Sequence, residues 1–165
     1  MTMRIRAYRD YAGLLGFLAV CLGVMAVGGA ITATTVDTWY QTLRRPVFAP
    51  PDWVFGPVWA ALYVMMAVAA WLAWRREGMR GSAQPLFAFQ LVLNLAWTAL
   101  FFGMTWIGAA LVEIIILWIA IAATAIAFRR ISRLAAMLLI PYLLWVAYAA
   151  ALTAGFWAMN GQPFP

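Results

Sequence analysis

The sequence predicts an all-α integral membrane protein, a five-transmembrane-helix bundle forming one domain over residues 1–165, and three observations predict it. Apolar side chains make up 67% of the 165 residues and charged ones 10%, where soluble domains carry about 45–50% and about 25%. Mean hydropathy is +0.91. The apolar runs are long and continuous on every helix face, unlike the short alternating segments of a membrane barrel. A water-soluble globule is excluded, and so is a disordered chain, which needs low hydrophobicity and high net charge.

A span needs about 20 apolar residues, and runs of that order fall near 12–33, 53–74, 84–104, 106–128 and 134–157. The first follows Arg4, Arg6 and Arg9 and superficially looks like a secretory signal. Its apolar part is too long for the usual h-region of 7–15 residues, so it reads as a retained helix. The second span opens with Pro51 and Asp52, which suit the first turn and the positive end of the helix dipole. Pro57 is expected to bend this span and to free carbonyls near Trp53 for neighbours or a ligand. From Ala96 to Phe128 only Glu113 interrupts the apolar run. That is too long for one span, so a break between Gly103 and Gly108 should give a tight hairpin of spans three and four. Pro141 is expected to bend the fifth span.

All 11 basic residues are arginine. Nine sit at one end of the spans: Arg4, Arg6 and Arg9, then Arg75, Arg76 and Arg80, then Arg129, Arg130 and Arg133. Only Arg44 and Arg45 lie at the other end, so the N-terminus is expected in the cytoplasm and the C-terminus outside. The basic balance thus reads as membrane orientation, with no nucleic acid partner implied. The chain has no His, a single Cys at Cys21, and acids only at Asp10, Asp37, Asp52, Glu77 and Glu113. Metal sites, axial haem ligation and a Ser-His-Asp set are therefore not expected. Cys21 reads as a small buried hydrophobe.

The connector at about 34–52 concentrates Asp37, Trp39, Tyr40, Arg44, Arg45, Pro46, Pro50, Pro51 and Asp52. It reads either as an interfacial aromatic belt or as a lid over a cavity opening on the outer side. Within the spans, Phe55, Trp59 and Tyr63 recur every four residues and share a stripe. Gln90, Asn94, Trp97 and Phe101 share a face of span three, and Trp145, Tyr148, Ala149 and Leu152 a face of span five. Unpartnered amides in hydrocarbon are costly, so Gln90 and Asn94 must point inward, either to bond neighbouring helices or to touch a ligand. Glu113 is the one ionisable group well inside a span. It reads either as a functional carboxylate or as a solvated group near the outer interface, about five residues past the turn at Gly108. Small residues at Gly16, Ala19, Gly23, Ala99 and Gly103 allow close helix approach, in a homodimer or within one bundle.

Three blocks carry a resemblance. The run WYQTLRRPVFAPPDWVFGPVWAALY, Trp39 to Tyr63, resembles the signature of the tryptophan-rich sensory protein family, whose mitochondrial members are called translocator protein or peripheral benzodiazepine receptor. QLVLNLAWTALFFG, Gln90 to Gly103, and LLIPYLLWVAYAA, Leu138 to Ala150, are similar to its third and fifth helices. The likeness implies a five-helix bundle, often a homodimer, with a pocket under the first loop for porphyrins and isoquinoline-type ligands. By that likeness the ligand-binding residues are Trp39, Tyr40 and Pro50 in or beside the loop, Trp59 and Tyr63 on span two, Asn94 and Trp97 on span three, and Trp145 and Ala149 on span five. Aromatic faces would hold a flat macrocycle, Arg44 or Arg45 would meet its propionates, and Asn94 would supply a directed hydrogen bond.

The function implied is binding or transport of tetrapyrroles and related amphipathic apolar molecules, as a sensor or regulator of their levels. No cofactor is implied, the porphyrin being a ligand. A second reading is light- and oxygen-dependent breakdown of protoporphyrin, with Trp59 and Trp145 as the residues supporting it. A third is a structural membrane partner. The expected setting is multi-pass in a membrane, the bacterial inner membrane, with lipid as surroundings. Two departures stand out. Phe48 occupies the place where the family has Trp, and no basic residue follows Arg133, so sterol recognition is not implied.

Overall fold

Five helices long and apolar enough to cross a membrane form the bundle. The computed structural model describes residues 2–79, 81 and 83–161, the first six of them in backbone only. Arg80 lies outside the described residues, as do the side chains of Arg4 and Arg6.

Helix α1 spans Thr2–Ala33, and a connector carrying the short helix α2, Trp39–Thr42, leads to a 3-10 turn at Asp52–Val54. That turn runs directly into α3, Phe55–Glu77. Helix α4, Ala83–Thr98, widens into a π-helical turn at Ala99–Gly103 before α5, Ile107–Ile131. The last span is split into α6, Arg133–Leu138, and α7, Ile140–Asn160.

The prolines act differently from the expectation. Pro57 sits in the first turn of α3, preceded by the 3-10 turn. A helix lacks internal acceptors for its first amides, so Pro57 removes little there and marks a helix start instead of a mid-span bend. Pro51 is extended, with φ −58° and ψ 143°, and precedes that turn instead of lying within it. In the fifth span the break falls at Leu139, before Pro141, which is accommodated in the first turn of α7. The hairpin between spans three and four is as tight as expected, with Met104–Trp106 as its whole connection. Thr105 turns it with φ 59°, a left-handed conformation that strains a β-branched residue.

Glycine and alanine decide how closely α1 and α3 pack. Gly13 lies against the ring of Trp74, where any Cβ would collide. The α3 face behind it is buried through Ala67, Ala69, Ala70 and Ala73. At the arginine-rich end the Trp71 indole donates to the Asp10 carbonyl at 2.8 Å, and Arg75 pairs with Asp10 at 2.9 Å. Arg76 donates to the Ile131 carbonyl at 2.6 Å, tying α3 to the end of α5. Deeper, Phe87 of α4 stacks on Phe128 of α5. Cys21 is buried in this core, as expected of a small hydrophobe.

Candidate functional site

A cavity of about 620 Å³ lies between α1, α3, α4 and α7, beneath the first connector. Each wall follows from helical spacing. Phe55, Trp59 and Tyr63 come from successive turns of α3, and Asn94 and Trp97 from α4. The π turn that follows contributes two adjacent rings, Phe101 and Phe102. Trp145, Ala149 and Leu152 come from α7, and α1 contributes small residues including Ala26, Gly29 and Ala33.

Seven of the nine residues named from the resemblance therefore line one space: Tyr40, Trp59, Tyr63, Asn94, Trp97, Trp145 and Ala149. Trp39 does not line it; its ring packs edge-on to Phe101 from behind, with centroids 5.7 Å apart. Pro50 is half-buried in the connector and also off the wall. Trp53 is exposed, and the cavity reaches Asp52 and Phe55 instead of the carbonyls expected near it. Gln90 and Tyr148 share the predicted faces of α4 and α7 but do not line the cavity.

The connector is tied to the bundle at several points. Tyr40 is buried among Phe101, Phe102 and Phe156, with centroids 5.5–6.4 Å away. Burial holds its hydroxyl above the ordinary phenol range, an effect the neighbouring Arg45 opposes. The Arg45 fork grips Asp52 at 2.8 and 3.0 Å and Gln41 at 2.7 Å, while its plane lies 4.9 Å from the Tyr40 ring centre. The hydrogen bond to Asp52 holds the guanidinium more basic than usual. Asn160, at the end of α7, accepts from the Arg44 amide at 2.9 Å and donates to its carbonyl at 3.0 Å. Tyr148 donates to the Phe48 carbonyl at 2.8 Å. Pro46 sits against Gly155, where a Cβ would strike its ring. Arg45 is thus already engaged, and neither arginine lines the cavity.

Polar groups at the base of the cavity bond one another. Tyr63 donates to Asn94 Oδ1, and Asn94 Nδ2 donates to the Tyr142 hydroxyl at 2.9 Å. Three helices are joined through this one amide, which is 3% exposed. Asn94 therefore both bridges helices and touches the cavity, so the two expectations for it coexist. Thr98 and Thr153 on the wall turn their hydroxyl hydrogens to the carbonyls of Asn94 and Ala149. Glu113 is 8% exposed, so its side chain is buried among the helices and not solvated. Neither of its oxygens has a hydrogen-bond partner among the described residues. The same is true of the Gln90 amide.

Sequence reasoning missed Phe102, Phe156 and Thr153 on the wall and Tyr142 beneath it. Phe156 and Thr153 extend the Trp145–Ala149–Leu152 stripe by one turn, a signal that was readable. Phe102 lies in the π turn, which no apolar pattern announces. Among the described residues no cluster of His, Cys, Asp and Glu could hold a metal ion.

Comparison with known proteins agrees with this architecture. A family model described as the TspO/MBR family matches residues 17–158. The tryptophan-rich protein TspO of Chlorobaculum tepidum is 41% identical over 147 residues, covering 87% of this chain and 92% of that one. The tryptophan-rich sensory protein of Cereibacter sphaeroides is 40% identical over 143 residues, 87% of this chain and 88% of its own length. Human translocator protein is 41% identical over 151 residues, with 88% and 89% covered. This five-helix membrane protein belongs to the TspO/MBR family.

Proposed function

We propose that the chain binds porphyrins and related flat, amphipathic apolar molecules in this cavity, and acts in the membrane as a sensor or regulator of tetrapyrrole levels. The observation that carries the reading is the convergence of rings from α3, α4, α7 and the connector on one space of about 620 Å³. Aromatic faces held by different elements suit a planar guest, because each ring adds area and a preferred stacking geometry. The volume lies within the usual range for small-molecule sites, about 300–1,000 Å³. Relatives named sensory protein and translocator protein support the same reading by name.

The arginine distribution supports a cytoplasmic N-terminus, and a bacterial inner membrane is the proposed host. A homodimer is proposed from the family likeness alone.

The experiment is a titration of purified protein with protoporphyrin in the dark, followed by tryptophan quenching. Saturable quenching with an unchanged porphyrin spectrum on later illumination is expected; quenching that never saturates contradicts the proposal. A second reading, photo-oxidative breakdown of the bound porphyrin by dioxygen, is favoured by one observation: Trp59 and Trp145 both stand on the wall. Bleaching of the porphyrin with a new product under light and oxygen would select it.

A further inference from the structure

We propose that the corner where α3 meets the break between α5 and α6 binds the headgroup of an anionic glycerophospholipid, with Arg76, Arg130 and Arg133 as its phosphate ligands. This corner shares no residue with the guest cavity, and the proposal is independent of the guest-binding reading. It lies at the end of the spans that carries nine of the 11 arginines. Arg76, Arg130 and Arg133 are all exposed there.

The fold brings these three arginines to one corner from separate elements. Ser132 leaves the helical path, with φ −151° and ψ 116°, and turns the chain from α5 into α6. Arg76, in the last turn of α3, reaches that corner, where its Nη1 donates to the Ile131 carbonyl at 2.6 Å. Arg130 precedes Ile131 directly, and Arg133 opens α6 two residues after it. Like charges gathered in this way repel unless an anion answers them. Among the described residues no carboxylate does so. Asp10 is paired with Arg75 at 2.9 Å, the Glu77 side chain lies against Gly81 in the turn toward α4, and Asp52 pairs with Arg45 at the other end of the bundle.

The surroundings select a lipid over a free anion. Ile126 stands four residues before Arg130 and Met137 four residues after Arg133, so each shares the helix face of its arginine. Helix α5 runs toward this end and α6 away from it, which puts both apolar residues nearer the middle of the membrane than the arginines. Both are exposed, at 60% and 61%. Each arginine therefore heads an apolar stripe, with a place for phosphate at its end and for an acyl chain below. Basic sites between helices at a membrane surface suit anionic headgroups, and the planar guanidinium fork matches a pair of phosphate oxygens. A zwitterionic lipid brings its own ammonium to the same arginines and gains less. The ligand that fits carries a phosphodiester, two acyl chains and net negative charge, as phosphatidylglycerol does.

The test is thermal unfolding of the purified protein in an uncharged detergent, titrated with dioleoyl phosphatidylglycerol, with dioleoyl phosphatidylcholine or with inorganic phosphate. Phosphatidylglycerol should raise the midpoint saturably, and the concentration giving half the rise measures affinity. The other two should need at least about tenfold more. Arg133→Gln should weaken phosphatidylglycerol about fivefold, the scale of one arginine near an anionic headgroup. The Arg130→Gln, Arg133→Gln double variant should weaken it at least about tenfold; Arg133→Gln carries the test if the double variant fails to fold. Arg9→Gln removes a charge at the same end but on α1, and should shift the affinity less than about twofold. Equal stabilisation by the two lipids, or a rise that inorganic phosphate reproduces, overturns the proposal. So does an affinity that the arginine variants retain, or an equal loss in Arg9→Gln, which would mark diffuse attraction to the whole end. None of these outcomes bears on guest binding in the cavity.

Discussion

Asn94 bears directly on stability, because its amide joins Tyr63 of α3 to Tyr142 of α7 inside the bundle. Removing it leaves two buried hydroxyls without this partner. Asn94→Ala should destabilise the protein by about 1–3 kcal/mol, read as a lowered midpoint of thermal unfolding in detergent; an unchanged midpoint contradicts the bridging role. Trp145 differs, being a wall ring whose loss leaves packing largely intact. Trp145→Phe should keep the fold and weaken protoporphyrin binding by about two- to tenfold, the worth of an aromatic contact of about 0.5–1.5 kcal/mol. Equal affinity would remove Trp145 from the binding wall. At this scale the sequence was largely legible. Residues recurring every third or fourth position on one face must point together, and the six helical positions that the resemblance also named, Trp59, Tyr63, Asn94, Trp97, Trp145 and Ala149, reached the same space; Tyr40, named by the resemblance alone, joins them. Trp39 and Pro50 missed it because a connector has no periodicity to fix where its side chains point. Glu113 illustrates another gap: its distance from Gly108 suggested a solvated group, but burial depends on how α5 packs against α4 and α7, which sequence spacing does not give.

Among the elements, the first connector was the hardest to read and is the most specifically anchored. Its composition supported a belt or a lid equally. The choice is made by partners 100 or more positions away: Asn160 bonds the Arg44 backbone, Tyr148 bonds the Phe48 carbonyl, and Gly155 leaves room for Pro46. A glycine within an apolar helix is common, so nothing in the sequence marked Gly155 as a seat for the connector. Gly155→Leu should push Pro46 away and increase amide hydrogen exchange across residues 43–49 while leaving α3 and α5 protected. Unchanged exchange in that segment contradicts the seat. The helices themselves were easier to read, since apolar length alone limits them. Their arginine-bearing ends extend beyond the apolar runs because arginines favourably end a helix, as Arg75, Arg76, Arg129 and Arg130 do. The prolines were misread for a physical reason. A proline bends a helix only in its interior, and both Pro57 and Pro141 lie in first turns.

For the whole molecule, five apolar helices and one strongly arginine-rich end describe a protein oriented by its charges. The first connector should face the outside. Thr38, exposed in that connector, gives a labelling site: Thr38→Cys in a Cys21→Ser background should react with a membrane-impermeant maleimide added to intact cells. Reaction only after the membrane is opened would contradict the orientation. The cavity lies in the half of the bundle that carries this connector, away from the Asp10–Arg75 end. Its small α1 residues and its rings from α3, α4, α7 and the connector are meaningful only together, which is why no single run of sequence described it. The claim on which this account depends is that a planar guest occupies that space. The most direct measurement is a dark protoporphyrin titration of the wild type beside Ala149→Leu, which places a larger side chain on the wall of the cavity. The account predicts saturable quenching in the wild type and at least about tenfold weaker binding in the folded variant, a loss of about 1.4 kcal/mol or more. Equal, saturable quenching in both proteins would contradict it.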